Sequence, residues 1–148
     1  MKIAMGCDHA AVEYKNQIRD LLRAQGHEVT DVGIEAGEKA DYPDIAEKVG
    51  GLVAGGTAEK GILICGTGVG MSIAANKVNG IRAAVVSEAY SAKLCRQHND
   101  ANILCFGQRV VGIEVALELV KVFLETEHEG GRHAGRVEKI MAIEGRQA

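Results

Sequence analysis

The chain has 148 residues, of which 47% are hydrophobic and 25% are charged. These are the proportions of a globular protein, so disorder is excluded, and the length predicts a single domain over residues 1–148. The net charge of -3 and the 3% of aromatic residues argue against a nucleic-acid partner, which needs cationic and stacking side chains.

The location of the protein is predicted from its apolar segments. In the segment from Met1 to Asp8, a charged residue interrupts the apolar run too early for the apolar core of a signal peptide. The longest uncharged run, Gly61 to Asn76, is shorter than a membrane span and is interrupted by small polar residues. We therefore expect a cytoplasmic protein with no membrane partner.

Strands and helices alternate from the start of the chain. Lys2–Gly6 is a short apolar segment that predicts the first strand, and from Ala10 apolar residues recur at helical spacing. Gly26 is predicted to end that helix in a left-handed conformation. His27–Val32 predicts the second strand, and Tyr42–Ala54 predicts a helix with the only proline near its start, where a missing amide does no harm.

The middle and the end of the chain continue this alternation. Gly61–Cys65 is a continuous apolar run, which predicts the most central strand, covered on both faces. After the Gly130-Gly131 pair, a predicted hinge, a last helical stretch has Val137, Ile140 and Met141 on one side. Between these segments we expect a helix over Met71–Lys77, a strand over Ile81–Val86 and a helix over Ser87–Arg96 that is opened by a serine cap. A strand over Asn102–Phe106 and an apolar helix over Ile113–Leu124 follow.

The alternation predicts a fold of the α/β class. We expect a three-layer α/β/α Rossmann-like domain with a five-stranded parallel sheet and a C-terminal helical arm. In such sheets ligands bind beyond the carboxyl ends of strands, where neighbouring connections leave in opposite directions. The loops after the first and third strands are therefore the expected positions of a site.

A glycine-rich loop follows the central strand. It reads Cys65-Gly66-Thr67-Gly68-Val69-Gly70 and leads into a helix, so its backbone amides can face an anion. Its spacing fits neither a Walker loop nor the dinucleotide fingerprint. Close packing between helix and strand is the alternative explanation for the glycines.

Cys65 differs from the other cysteines because it lies between a strand and this loop. A thiol beside a helix start ionises more easily, and the thiolate is the reactive form. Cys7, Cys95 and Cys105 lie within or at the ends of predicted elements, where a small buried apolar residue is expected. The four cysteines are widely spaced with no CxxC pair, which predicts thiols rather than disulfides.

Two polar groups are candidates for chemistry. Asp8 and His9 follow the first strand abruptly, and the alternative for Asp8 is a cap on the first helix. The segment Arg96-Gln97-His98-Asn99-Asp100 combines an imidazole with an amide donor, the parts needed for acid-base work and oxyanion binding. Helix ends are often polar, so a solvated surface is the alternative for this segment.

Three arginines are candidates for a functional site. Arg109 follows the fifth strand at its carboxyl end. Arg132 and Arg136 stand four apart, so on a helix they share a face and suit one phosphate group. Salt bridges to Glu129 or Glu138 are the alternative for this pair.

The histidines, cysteines and acidic residues show no metal-ligand spacing, so no metal is expected. His27 and His128 are expected at the surface, and the sequence assigns no role to His133.

Five motifs follow one another along the chain: Gly6-Cys7-Asp8-His9-Ala10, Asp41-Tyr42-Pro43, Gly61 to Gly70, Arg96 to Asp100 and Glu129-Gly130-Gly131-Arg132-His133. Together they resemble type B ribose-5-phosphate isomerase, and the likeness extends from residue 2 to about residue 146. The resemblance implies an enzyme of the pentose phosphate pathway that interconverts ribose 5-phosphate and ribulose 5-phosphate without metal or cofactor. Relatives of that family act on allose 6-phosphate or galactose 6-phosphate, which remain the alternative substrates.

The resemblance implies a role for each candidate residue. Cys65 is implied to be the general base that moves a proton between neighbouring carbons, His98 the acid that opens the furanose ring, and Thr67 a relay between the two substrate oxygens. Asn99 and the amides of Gly66 to Gly70 are implied to bind the enediolate, although spacing alone would place the phosphate on that loop. The remaining candidates, implied to bind hydroxyls and phosphate, are Asp8, His9, Arg109, Arg132 and Arg136.

Members of this family are dimers, sometimes paired into tetramers, and each site uses both chains. The resemblance therefore implies a homodimer in which His98, Asn99 and Arg109 meet Cys65 across the interface. Two other classes remain open from the residues alone. The glycine loop permits a nucleotide-binding module, and the position of Cys65 permits a thiol redox protein.

Overall fold

The computed structural model describes residues 1–147 and contains five parallel strands. Their order across the sheet is β2-β1-β3-β5-β4, so β3 is central, as its apolar run predicts. The strands are β1 (Lys2–Cys7), β2 (Glu28–Asp31), β3 (Lys60–Cys65), β4 (Ala83–Val85) and β5 (Ile103–Gly107).

Helices cover both faces of the sheet, and the predicted three-layer α/β/α class is confirmed. Helices α2 and α3 pack against each other on one face, while α4 packs against α5 on the other. The phenol of Tyr14 in α1 donates a hydrogen bond to the carbonyl of Val111, just before α5, at 3.0 Å. The helices are α1 (Val12–Ala24), α2 (Tyr42–Ala54), α3 (Val69–Ala75), α4 (Ala89–Gln97), α5 (Ile113–Glu125) and α6 (Arg132–Arg146).

The helices that follow β1 and β3 lie on opposite faces of the sheet, so the topological switch point lies between these two strands. These two strands are neighbours, with Cys7 opposite Ile64, yet β1 continues into α1 and β3 continues into α3 on the opposite face. Such a crevice is where open parallel sheets bind ligands. The fold therefore places the loops after β1 and β3 side by side, as the sequence predicts.

Local signals act at the end of α1 and at the start of α4. Gly26 has φ +92 directly after α1, which confirms the predicted left-handed end. The serine cap predicted at Ser87 is wrong. Glu88 caps α4 instead, because its carboxylate accepts a hydrogen bond from the amide of Ser91 at 2.8 Å.

Helix α6 is the predicted C-terminal arm. His133 is its only buried residue, and Ile140 and Ile143 remain 43% and 49% exposed. The carboxylate of Glu144 accepts a hydrogen bond from the amide of Gly80, and this contact holds the helix beside the start of β4. Within residues 1–147 no helix is both long and apolar enough to span a bilayer.

Candidate active site

The carboxyl edge of the sheet gathers the first group of candidate residues. Asp8 and His9 follow β1, the glycine loop follows β3, and Arg109 follows β5. The amide of Asp8 donates to the carbonyl of Ile64 at 3.4 Å, which ties the end of β1 to β3. We call this group, Asp8, His9, Cys65 to Gly70 and Arg109, the carboxyl-edge group.

Cys65 lies under the glycine loop, and its sulfur accepts a hydrogen bond from that loop. The amide of Gly68 donates a hydrogen bond to Sγ of Cys65 at 3.0 Å, and the residue is 5% exposed. The N–H of Gly68 therefore points at the sulfur. Because α3 has only seven residues, this local amide, rather than a long helix dipole, is the polar group in contact with the thiol.

Gly68 permits this contact because it has no side chain. Its φ is +83, and a Cβ there would lie 2.7 Å from the main chain of Phe106 in β5. The loop is therefore pressed against the backbone of the neighbouring strand. The next amide, of Val69, donates to the hydroxyl of Thr67 at 3.3 Å, so the loop also fixes that hydroxyl.

The other three thiols are buried within or at the ends of strands and helices, and Cys7 also has a backbone hydrogen bond from Ile34. Burial raises the pKa of both Cys7 and Cys95 to about 11, and it also raises the pKa of Cys105. All four cysteines are free thiols, as the sequence predicts. Cys65 differs from them in its position at the start of the glycine loop.

Asp8 does not cap the first helix. The N-cap position of α1 is Ala11, and no side chain caps it. The carboxylate of Asp8 instead accepts a hydrogen bond from the amide of Ala10 at 3.0 Å, a local turn that holds the loop after β1. His9 is exposed beside it.

A buried ion pair supports this loop from below. Lys15 is fully buried, and its Nζ lies 2.7 Å from Oδ2 of Asp31 at the end of β2. Arg19 contacts the same oxygen at 2.8 Å. The amide of Gly33 donates to Asp31, and a Cβ at Gly33 would lie 3.1 Å from the amide nitrogen of Cys7. The pair therefore braces the backbone that presents Asp8.

Arg109 lies beside the glycine loop of its own chain. Its guanidinium is next to Gly66, and the contact with a partner's Cys65 that the resemblance implies stays a prediction. A Cβ at Gly66 would be 3.3 Å from Nη1 of Arg109, and the amide of Arg109 donates to the carbonyl of Gly66 at 3.1 Å. The reason is topological, since β5 is the neighbour of β3 and their carboxyl ends meet.

The second group of candidates lies at the amino edge of the sheet. His98 is the C-cap of α4, Asn99 follows it, and both precede β5. Arg132 and Arg136 lie in the first turns of α6, and both are exposed. Neither forms a salt bridge within residues 1–147, whereas Glu129 lies 3.5 Å from His133. We call His98, Asn99, Arg132 and Arg136 the amino-edge group.

Asp100 shapes the turn that presents Asn99. It is the one non-glycine residue among residues 1–147 with positive φ, at +47. Its carboxylate forms salt bridges with the guanidinium groups of Arg96, at 2.8 Å, and Arg82, at 3.3 Å. Aspartate tolerates this left-handed conformation better than most residues, and the two guanidinium groups hold it there.

His98 stacks on His133. The ring centroids are 4.1 Å apart and the planes are inclined by 10°. Burial, the charge of His98 and the charge of Arg132 lower the pKa of His133 from its ordinary value. His128, expected at the surface, is half-buried, and its Nε2 is buried without a hydrogen-bond partner.

One group of possible metal ligands is formed by residues whose sequence spacing does not indicate a metal site. Ligand atoms of His98, Glu129 and His133 lie within 4.8 Å of one another, a set of donors that suits zinc. An ion shared by two imidazoles lies near the plane of each ring. Here the two rings face each other, so as they stand they do not point to a common ion.

The two groups are far apart within one chain. Gly61 pairs with Ile103 at the amino edge, and Cys65 pairs with Gly107 at the carboxyl edge. At about 3.3 Å per residue this stretch of strand separates the edges by roughly 13 Å. His98 lies before the start of β5, so one chain does not bring its imidazole to the sulfur of Cys65.

Tyr42 is a site neighbour that sequence reasoning left without a role. It begins α2, and its ring covers Gly70, where a Cβ would lie 2.7 Å from Cε2. The motif containing Tyr42 was visible in the sequence, but its contact with the glycine loop comes from the packing of α2 on α3.

A parallel α/β sheet that carries a thiol under a glycine loop at its switch point, with an arginine beside it, defines an α/β enzyme for an anionic substrate. A sequence model described as ribose/galactose isomerase matches residues 3–140. The chain therefore belongs to the ribose/galactose isomerase family.

Individual relatives agree with this assignment over nearly the whole chain. Ribose-5-phosphate isomerase B of Escherichia coli K12 is 56% identical over 146 residues, which cover 99% of this chain and 98% of that protein. D-erythrulose-4-phosphate isomerase of Pectobacterium atrosepticum is 46% identical, covering 95% and 93%. The structure of ribose-5-phosphate isomerase B from Clostridium thermocellum superposes with a TM-score of 0.98 at 51% identity, covering all of both chains.

Proposed function

We propose that this isomerase interconverts D-ribose 5-phosphate and D-ribulose 5-phosphate by ring opening and a cis-enediolate proton transfer. The observation that carries the proposal is the 3.0 Å hydrogen bond from the amide of Gly68 to the sulfur of Cys65. It holds the sulfur of Cys65 against the glycine loop, at the crevice where such folds bind ligands. Family membership and the names of the relatives support the same reaction class.

The proton transfer follows from this geometry. The thiolate of Cys65 takes the proton from C2 of the open-chain aldose, and the electron pair of that bond forms the enediolate. The same sulfur returns the proton to C1, which leaves the carbonyl at C2. The hydroxyl of Thr67, fixed by the amide of Val69, moves a proton between the two substrate oxygens, and amides of the loop bind the enediolate.

The remaining residues bind and open the substrate. His98 gives a proton to the ring oxygen, because the reactive carbonyl is hidden in the furanose form. Asn99 donates to the enediolate, and Asp8 and His9 bind hydroxyl groups. The phosphate is bound by Arg109, Arg132 and Arg136, and the reaction uses no metal or cofactor.

The separation of the two edges supports a site shared between two chains. In a homodimer, the amino-edge group of one chain would complete the carboxyl-edge group of its partner. A cleft of about 680 Å³ between β4 and α6 is lined by Asn99 and by the exposed Ile140 and Ile143. This open face, in which polar residues surround the exposed Ile140 and Ile143, is the one we propose that a second copy covers. Pairing of dimers into tetramers and a cytoplasmic location remain predictions.

The alternative substrates are related sugar phosphates, allose 6-phosphate and galactose 6-phosphate. A four-carbon ketose phosphate belongs in the same comparison, since one relative is named for it. A panel of these compounds, with kcat/KM measured for each, decides among them. The proposal requires the highest value for ribose 5-phosphate. Calorimetry with ATP and NAD tests the nucleotide-binding alternative, which requires heat from either compound and none from pentose phosphates.

The direct test of the proposal is an isomerase assay with ribose 5-phosphate in excess chelator. We expect full activity, and we expect Cys65→Ala to abolish it because the base is removed. Cys95→Ala is the matched control, since this buried thiol lies in α4 and should leave the rate unchanged. Loss of activity on chelation, or an active Cys65→Ala protein, would refute the mechanism. Protection of Cys65 from alkylation by sugar phosphate would at the same time argue against a redox role.

A further inference from the structure

The stacked imidazoles of His98 and His133 are a feature that the proposed reaction does not yet use. Their centroids lie 4.1 Å apart, and their planes are inclined by 10°. The His133 side chain is only 8% exposed, whereas His98 is half-buried. His133 thus lies beneath His98, and the substrate would approach His98 from the open side.

The chain is built to hold these rings together. The amide of Glu129 donates to the carbonyl of Gln97 at 3.0 Å, which joins the segment before α6 to the end of α4. Nε of the buried Arg96 donates to the carbonyl of Thr126 at 3.2 Å in the same segment. Gly130 and Gly131 then turn the chain with φ of +71 and +57, so α6 begins directly beneath α4.

We propose that His133 is a positioning residue for ring opening, whose buried flat face fixes the plane of the His98 imidazole. This inference rests on the proposed function of His98. In ring opening the bond between C1 and the ring oxygen breaks, and the ring oxygen takes the proton of His98. The C1 hydroxyl loses its proton to water as the carbonyl forms. An imidazole free to rotate would present that proton in the wrong direction for most of the time.

The electrostatics of the pair suit this role. Two protonated rings stacked at this distance would repel each other, so protonation of both at once is disfavoured. His133 faces the charges of Arg132 and Arg136 from its own helix, and Glu129 lies 3.5 Å from its Nε2. Burial, His98 and Arg132 lower the pKa of His133, which favours its neutral ring, and a neutral aromatic face is a favourable partner for a cationic group stacked on it.

The test uses two variants that separate the flat ring from the nitrogen atoms. His133→Phe keeps an aromatic face, and His133→Leu keeps an apolar side chain but removes that face. The initial rate of ribose 5-phosphate isomerisation is measured against enzyme concentration. For the wild type and His133→Phe we expect the rate to rise linearly with enzyme. For His133→Leu we expect a rate roughly 10- to 100-fold lower, which reaches a plateau where spontaneous ring opening becomes limiting.

The plateau is a readout that a merely structural role would not produce, because partial unfolding lowers the rate but keeps it proportional to enzyme. His133→Met repeats the test if the leucine variant does not fold. A linear, wild-type rate in His133→Leu overturns the inference. So does an equal rise in KM in both the Phe and Leu variants, which would show that His133 binds the phosphate itself. If the wild type does not isomerise ribose 5-phosphate, the proposed function fails. If the wild type is active and the leucine variant stays linear, only the inference fails.

Discussion

The two edges of the sheet hold their candidate residues in different ways. At the carboxyl edge the main chain holds the candidate residues, because Gly68 packs on the backbone of Phe106 and its amide donates to the sulfur of Cys65. At the amino edge side chains hold them: Asp100 pairs with two arginines, and His98 stacks on His133. The residue proposed to react is therefore held by backbone contacts of its own chain, while the residue proposed to open the sugar ring lies at the edge where a second chain is proposed to approach.

The largest effect is expected from mixing two inactive proteins. Cys65→Ala and His98→Ala should each have little activity alone. Co-expressed, they should form mixed dimers in which one site combines an intact carboxyl edge with an intact amino edge. Random pairing would restore about a quarter of wild-type activity. The measurement is isomerase activity of the purified mixture, with the two variants mixed without subunit exchange as the control. No recovery after exchange would mean that one chain contributes both edges to its site.

The next effect concerns the support of the carboxyl edge. Lys15→Met leaves Asp31 without its fully buried partner, and breaking a buried pair in this way costs about 3–5 kcal/mol. The free energy of unfolding in urea measures the loss. Lys48→Met on the exposed side of α2 is the control and should change stability by less than about 0.5 kcal/mol. A loss below about 1 kcal/mol for Lys15→Met would show that Arg19 alone suffices.

The same pair gives a pH dependence with a definite sign. Burial acts to raise the pKa of Asp31, but hydrogen bonds from Lys15 and Arg19 outweigh it and hold the pKa below its ordinary value of 3.8. A carboxyl group of this kind contributes stability above its unfolded pKa and loses that contribution as the pH falls through its folded pKa. Unfolding measured from pH 5 downward should therefore show a shallower acid loss in Asp31→Asn. Parallel curves for variant and wild type would contradict this.

At the amino edge, Asn99→Ala should lower kcat by about 10²- to 10³-fold with a smaller change in KM, because an oxyanion donor acts mainly in the transition state. Steady-state kinetics with ribose 5-phosphate measure the split. Asn79→Ala is the control, since this exposed asparagine lines the same cleft but is given no role in the reaction. A rise in KM alone would reassign Asn99 to ground-state binding.

The smallest effect on kcat is expected from Arg136→Ala. A phosphate contact remote from the reacting carbons contributes mostly to binding, so KM should rise by roughly tenfold while kcat changes by about twofold or less. Arg146→Ala, at the far end of the same helix, serves as the comparison. Equal losses in kcat and kcat/KM would remove Arg136 from the phosphate site.

The sequence predicted the parts of the molecule that local pattern determines. The apolar run Gly61–Cys65 identified the central strand, and the loops after β1 and β3 were expected at the switch point and lie there. The serine cap failed because α4 begins at Ala89, which makes Glu88 and not Ser87 the N-cap residue. Pattern could not show the Arg109 contact with its own Gly66, since strand order decides it.

The rest of the candidate site depends on contacts between distant segments. Glu129 and His133 stand four apart, a spacing that signals one helix face, but nothing local places them under His98. Asp100 gives no sequence signal of its left-handed conformation beyond the tolerance of aspartate for it. The roles assigned to the site residues stay predictions until the variants above are measured.

Position 68 has a consequence for any attempt to diversify this protein. The obstacle to a side chain there is the main chain of the adjoining strand, which cannot swing aside as a neighbouring rotamer would. Val69, the next residue along, is open to water. In a saturation library screened for folded protein, position 68 should tolerate almost no residue other than glycine, whereas position 69 should tolerate nearly all residues.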